Sequence, residues 1–313
     1  MSKIQSQIPV PQACSGMRLD QALALLYPDY SRSRLQKWIK DGQVTVDQEP
    51  KRPRDPVTEG QLIEINAEID QQHSWQGEQG DLNIVYEDEH LLILNKPRGI
   101  VVHPGAGNQQ GTLVNTLLHY CSQLQQIPRG GIIHRLDKDT SGLLVVAKTL
   151  KAHHYLVDQL QQRLIHREYR ALVYGNLISG GCIDAPIGRH PQQRTKMAIV
   201  PHGGKPAITH YRVLARFSGI TYLQVNLETG RTHQIRVHLS QQNNPILGDP
   251  TYGGRPRPPQ GADPELIARL KDLRQQQLHA YRLILTHPET KAPLEFIAPL
   301  PEDMTHLLEI LKK

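Results

Sequence analysis

Residues 131–148 read Gly131-Ile132-Ile133-His134-Arg135-Leu136-Asp137-Lys138-Asp139-Thr140-Ser141-Gly142-Leu143-Leu144-Val145-Val146-Ala147-Lys148. The apolar residues at either end predict two strands, and between them lies a loop crowded with ionisable groups. Loops held by rigid strands are a common place for catalysis, because the sheet fixes side chains that the loop leaves reachable. Asp137 and Asp139 are candidates for a carboxylate pair of the kind a glycosidase or metal site uses. Their separation stays open, since a turn breaks the alternation that puts residues two apart on one face. An Asp beside an Arg is also, by itself, the usual mark of a structural ion pair.

Working outward, Ile84-Val85-Tyr86 and Leu91-Leu92-Ile93-Leu94 flank the acidic turn Glu87-Asp88-Glu89 and predict a hairpin. Lys96-Pro97-Arg98-Gly99 and His103-Pro104-Gly105-Ala106-Gly107 are turn-rich, but neither a P-loop nor G-x-G-x-x-G spacing is present, so no nucleotide cofactor is indicated. Downstream, Tyr169, Ala171 and Val173 alternate with Arg170 and Leu172 as in a strand. Thr232 is placed to cap a helix containing Arg236, where a cation near the helix start needs a facing carboxylate. His134, His233 and His238 match no common zinc spacing, and structural or RNA-facing roles are expected for them. Gly253–Pro259 reads as a rigid basic loop, Asp263-Pro264 starts a helix, and Tyr281–Leu285 with Leu294–Ile297 predict a last hairpin. Many short strands among scattered helices, without regular βαβ alternation, predict an α+β fold.

The N-terminal part has a different grain. Leu19, Ala22, Leu23 and Leu26 recur at helical spacing, Tyr27-Pro28-Asp29 interrupts, and Ser31 or Ser33 is placed to cap a second helix. In that helix Leu35, Trp38 and Ile39 share one arc while Arg34, Lys37 and Lys40 take the other. Asp41-Gly42 then turns the chain into Gln43–Val46, and a basic connection leads to a second strand, Gln61–Ile65. Residues 66–80 are polar with little periodicity and read as a linker.

The chain has 313 residues with 36 Lys+Arg and 30 Asp+Glu, a net +6. Its distribution says more: residues 189–236 carry Arg189, Arg194, Lys196, Lys205, Arg212, Arg216, Arg231 and Arg236 against Glu228 alone. With the basic stretch from Arg32 to Lys40, this predicts a polyanionic partner. No apolar run has the roughly 18 to 20 residues of a membrane helix, and the N-terminus lacks a signal-peptide core, so a cytoplasmic protein without a membrane partner is expected. Cys14, Cys121 and Cys182 are few and far apart; buried free thiols are expected, with no metal site.

The run RLDQALALLYPDYSRSRLQKWIKDGQVTVD…GQLIEI (18–65) resembles the S4 RNA-binding domain, which assigns Arg32, Arg34, Lys37 and Lys40 to phosphate contacts. HRLDKDTSG (134–142), together with NKPRGIVVHPGAG, REYRALVYG, GRTHQIRVHL and GDPTYGGRPRPP in order, resembles the RluA-type pseudouridine synthases, closest to the D-type large-subunit branch. The resemblance covers nearly the whole chain. It implies a central mixed, largely antiparallel sheet with flanking helices, preceded by the small αβ module. The expected division is an extension at 1–16, the S4-like domain at 17–67, a linker at 68–80 and the catalytic domain at 81–313.

Pseudouridine formation breaks the bond from C1′ to N1, turns the uracil and rejoins it through C5, so it needs no redox cofactor or metal. The resemblance makes Asp137 the catalytic carboxylate, Tyr169 the residue that stacks on the base and helps the late proton transfer, and Arg236 the partner of Asp137. An opposite charge within about 4 to 6 Å favours an ionised carboxylate, which burial alone opposes. Arg135 is expected to enter the RNA stack as the uridine flips out. The implied substrate is 23S ribosomal RNA, at the helix 69 stem-loop, within the immature large subunit, with the enzyme a monomer. Two other readings remain open: a non-catalytic RNA-binding assembly factor, which leaves no pseudouridine, and a glycosidase using Asp137 and Asp139, which releases free base or sugar.

Overall fold

The computed structural model describes residues 2–27, 30, 32–69, 75–105, 108–193 and 195–313, and the chain divides into two compact units, 1–74 and 75–313. In the first, β1 (Ser2–Pro9) is followed by α1 (Leu19–Leu26), α2 (Arg32–Lys40), β2 (Val44–Val46), β3 (Glu49–Pro50) and β4 (Leu62–Ile69), with antiparallel sheet order β1-β4-β2-β3. The helical spacing does what it predicts: Leu19, Ala22, Leu23, Leu35, Trp38 and Ile39 bury themselves against Val44, Val46, Ile63 and Ile65. Lys37 and Lys40 lie on the exposed side of α2. Ser33 sits inside α2 rather than capping it, and Ser31 lies outside the described residues.

Two boundaries differ from expectation. The stretch expected as an N-terminal extension is part of the module: β1 pairs with β4 from Ser2↔Ile69 to Pro9↔Leu62, and Val10 and Cys14 join the module's core. The polar stretch read as a linker is structured at both ends. Its start continues β4 to Ile69, where the pairing with β1 supplies the order that side-chain periodicity does not show.

The second unit begins at Trp75. Its elements are β5 (Ile84–Glu87), β6 (Leu91–Lys96), α3 (Leu113–Tyr120), β7 (Ser141–Ala147), α4 (Leu150–Gln161), β8 (His166–Tyr174), β9 (Gly181–Asp184), β10 (Ile187–Arg189), β11 (Met197–Ile199), β12 (Ile208–Phe217), β13 (Ile220–Leu227), α5 (Gln234–Gln241), α6 (Pro264–Asp272), β14 (Leu278–Thr286), β15 (Pro293–Ile297) and α7 (Glu302–Lys312). Residues 75–80 dock on α3: Asn115 Nδ2 donates to the Gln76 carbonyl at 2.9 Å and Gly111 N to Glu78 Oε2 at 2.8 Å. Hydrogen bonds between side chains and backbone fix this segment together with Trp75, which packs against the core, so a single apolar residue in a polar stretch reads as linker.

A nine-stranded sheet runs β5-β6-β7-β14-β8-β13-β12-β9, with β15 on β14. Every neighbour is antiparallel except β7 and β14, which run parallel at Ser141↔His279 and Gly142↔Ala280. The predicted α+β fold with a mixed, largely antiparallel sheet is therefore present. At the parallel junction only glycine fits, since Gly142 has φ 110° and a Cβ there would lie 2.2 Å from the Ala280 carbonyl oxygen. One expected strand is missing: of the apolar residues before HRLDKDT, only Ile132 makes an isolated bridge, to Val146. A short apolar run marks burial, and buried coil satisfies it as well as a strand does. Of the three cysteines only Cys14 is buried; Cys182 is exposed.

The β5–β6 turn is pinned by Asp88. Its carboxylate accepts from Tyr86 Oη at 2.7 Å, the His90 and Leu91 amides at 2.7 Å, and His287 Nε2 at 2.8 Å. Partial burial works against the charge, yet these four donors hold the carboxyl down at about 2, against an ordinary 3.8. A depressed folded pKa means stability that is present above about pH 4 and lost as pH falls towards about 2. Asp88→Ala is expected to cost about 1–3 kcal/mol in urea denaturation at pH 7 and less near pH 2. An equal cost at both pH values would contradict this account.

Candidate active site

The loop after Ile132 reaches the site through a tight turn in which Thr140 N donates to the Asp137 carbonyl at 3.1 Å. Asp137 and Asp139 take different partners. Asp137 Oδ2 accepts from Arg236 Nη1 at 2.9 Å, whereas Asp139 Oδ1 accepts from Gln275 Nε2 at 3.2 Å. Arg236 comes from the first turn of α5, whose N-cap is His233 in the left-handed region (φ 56°), not Thr232. The backbone turns one residue later than the hydroxyl suggested, so no side chain caps α5.

Sequence reading missed the other half of the ion pair. Asp249, fully buried, accepts from Arg236 Nε at 2.7 Å on Oδ2 and from Nη2 at 2.9 Å on Oδ1. The guanidinium thus presents its fork to Asp249 and its remaining nitrogen to Asp137. Asp249 Oδ1 also accepts from Thr251 N at 2.8 Å and Tyr252 N at 3.0 Å, so one carboxylate shapes the loop and aims the arginine. Burial opposes the Arg236 charge, but the Asp249 hydrogen bonds and the charges of Asp137 and Asp249 outweigh it and hold the guanidinium above its ordinary value. The Tyr252 ring lies 5.0 Å from the Arg236 guanidinium carbon; its hydroxyl accepts from Met197 N at 2.9 Å and shares a hydrogen bond with His233 Nδ1 at 2.8 Å.

Tyr169 stands on β8 opposite Val225 and Ala280, buried among Ala171, Val173 and Leu223. Burial pushes its hydroxyl up, with the charge of Asp137 adding to the effect and Arg167 opposing it, so the phenol is neutral and lies within electrostatic reach of Asp137. Arg135 is exposed, one residue beyond a buried His134 whose Nε2 accepts the Val145 amide at 3.4 Å. His238, fully buried, spans Thr209 Oγ1 (2.9 Å) and the Ala185 carbonyl (3.0 Å), a structural role.

A second missed residue is Lys96. It is buried at the end of β6 and its ammonium donates to the carbonyls of Pro97 (2.7 Å), Ile100 (3.0 Å) and Lys138 (3.0 Å). Burial draws it down to about 8, with Asp139 and Asp137 pulling the other way. It pins the peptide between Lys138 and Asp139. The signal was there: a lone lysine closing the apolar run Leu91–Leu94 is unusual unless its charge is enclosed.

The basic stretch 189–236 is partly engaged in bonds within the protein. Arg216 donates to the Leu177 and Ile178 carbonyls, Arg231 Nε to Pro206 O at 3.0 Å, and Arg236 to the two carboxylates; Arg194 lies outside the described residues. Among the described residues, no group of three or more His, Cys, Asp or Glu side chains could hold a metal, and no helix is long and apolar enough to cross a membrane.

The chain is similar to known proteins along nearly its whole length. The RNA pseudouridylate synthase family model matches residues 90–241, and the S4 domain model residues 17–63. Ribosomal large subunit pseudouridine synthase D of Yersinia pestis is 52% identical over 311 residues, covering 99% of this chain and 95% of that protein. The Pseudomonas aeruginosa protein of the same name is 53% identical over 310 residues, covering 99% and 97%. Among solved structures, Human RNA Pseudouridylate Synthase Domain Containing 4 superposes with a TM-score of 0.58 at 28% identity, covering 74% of this chain and 93% of that one. With relatives more than half identical from end to end, the chain belongs to the RNA pseudouridylate synthase family.

Proposed function

We propose that this protein isomerises uridine to pseudouridine in large-subunit (23S) ribosomal RNA, at the helix 69 stem-loop of the immature subunit. The observation that carries the reading is the chain of charges Asp137–Arg236–Asp249: a carboxylate at a loop, held by a buried arginine that is itself held from behind. Asp137 acts on the sugar as the glycosidic bond breaks. Arg236 fixes its direction and supplies the opposite charge in a site that dries as RNA binds. Tyr169, neutral and buried, offers a ring face on which the detached uracil stacks and a hydroxyl for the late removal of the C5 proton. Arg135, exposed beside the site, fills the gap left in the RNA by the flipped nucleotide.

The S4-like unit supplies grip. Arg32, Arg34, Lys37 and Lys40 belong to α2, and phosphate contacts from that helix place the RNA. Deleting residues 1–74, the whole first unit, is expected to weaken RNA binding by roughly 10-fold or more and blur site choice, while the single-turnover rate at saturating RNA changes less. The decisive experiment incubates purified full-length protein with unmodified large-subunit rRNA, as transcript and as immature particles, and maps pseudouridine. Product at helix 69 supports the reading. Tight binding without product makes the protein an RNA-binding assembly factor, and release of free uracil makes it a glycosidase.

A further inference from the structure

Arg167 lies two residues before Tyr169 on β8, hence on the same face of the sheet. It is 8% exposed, yet its Nε has no hydrogen-bond partner and its guanidinium makes no ion pair among the described residues. The nearest carboxylate along the strand, Glu168, points to the opposite face, where Arg170 and Arg282 engage it. Arg167 instead lies over Gly230, where a Cβ would come within 2.8 Å of Nη1, and its charge reaches both His134 and Tyr169. Leaving an arginine buried without a counter-ion costs stability, and a site retains such a cation when an anion appears beside it.

The proposed reaction supplies such an anion. Cleavage of C1′–N1 leaves the bonding pair on the base, which becomes a uracil monoanion with its charge shared by O2, N1, O4 and C5. When C5 gives that pair to C1′, the new bond forms; the C5 proton then leaves and N1 takes one up. We propose that Arg167 is a catalytic residue whose guanidinium donates to a uracil carbonyl oxygen and balances the charge of the base while it is detached. No proton passes through Arg167, which stays cationic throughout. The inference rests on the pseudouridine synthase reading above and adds the group that holds the intermediate. A phosphate of the RNA backbone is the other anion in reach, but a buried arginine on the face of β8 that carries Tyr169 suits a charge that arises against that face better than one that stays at the surface.

The test compares wild type, Arg167→Met and Arg167→Lys on unmodified large-subunit rRNA, measuring RNA affinity and the single-turnover rate at saturating RNA. Arg167→Met is expected to slow the rate by about 10²–10³-fold, as loss of one donor to a developing oxyanion does, with affinity within about threefold. Arg167→Lys, which keeps the charge in nearly the same volume, is expected to be at least about 10-fold faster than Arg167→Met. In Arg167→Ala, added methylguanidinium is expected to restore activity. Equal rates for the Lys and Met variants overturn the proposal. So does a Met variant that loses only affinity, which marks a phosphate contact. A wild-type protein that forms no pseudouridine in the same assay overturns the functional reading itself; product from wild type with an unaffected Met variant overturns this inference alone.

Discussion

Asp137→Asn in the full chain is expected to lower pseudouridine formation by more than about 10³-fold while RNA affinity stays within about threefold. The substitution keeps the shape of the side chain and the Thr140 N to Asp137 O bond that closes the turn. It removes the carboxylate charge facing Arg236 Nη1 while leaving one oxygen able to accept, and the guanidinium keeps both bonds to Asp249, so the pocket retains its form. The basic residues of α2, proposed to contact phosphate, are unchanged by the substitution. Binding measured by filter retention and product measured by single turnover separate the two effects. A variant that makes product at the wild-type rate removes Asp137 from the chemistry.

The second large effect lies behind Arg236, at Asp249. Asp249→Ala strips the buried Arg236 of two hydrogen bonds and its closest charge, and frees the amides of Thr251 and Tyr252. Breaking a buried pair from one side costs about 3–5 kcal/mol, because the remaining charge stays buried. Asp249→Asn keeps an acceptor for the two amides and loses the charge, so a smaller cost is expected. Both variants leave Asp137 with a partner no longer held in direction, and a fall of at least about 10²-fold in the single-turnover rate follows even where the protein remains folded. Urea denaturation and single-turnover kinetics on the same preparations check this. Wild-type rates in a folded Asp249→Asn would show that Arg236 needs no second carboxylate.

Local patterns in the sequence translated into local structure. The α1 and α2 periodicities, the hairpins around Asp88 and before α7, the strand carrying Tyr169, and the Asp263-Pro264 start of α6, where Asp263 accepts from Glu265 N at 2.7 Å, each depend on residues a few positions apart. What escaped depends on distant partners. The order of the nine strands and the parallel contact of β7 with β14 are set by packing between segments far apart in the chain. For the same reason β1 looked like an extension: its partner β4 closes the far end of the module. Asp249 was hidden within a glycine- and proline-rich loop that resembles punctuation, and only the fold shows it facing Arg236. Lys96 was legible in principle, as a charge at the end of an apolar strand, but its three carbonyl partners come from turns whose conformation the sequence does not dictate. Arg167 is the reverse case: an ordinary cation in sequence, notable only for the partner it lacks among the described residues.

The most direct test of the central claim is a pseudouridine map of large-subunit rRNA from cells that lack this gene, alone and after restoring either the wild-type gene or one encoding Asp137→Asn. Loss of pseudouridines in helix 69, their return with the wild-type gene and their continued absence with the Asp137→Asn gene is the predicted result. A map unchanged by loss of the gene, or restored in full by the Asp137→Asn variant, would contradict it.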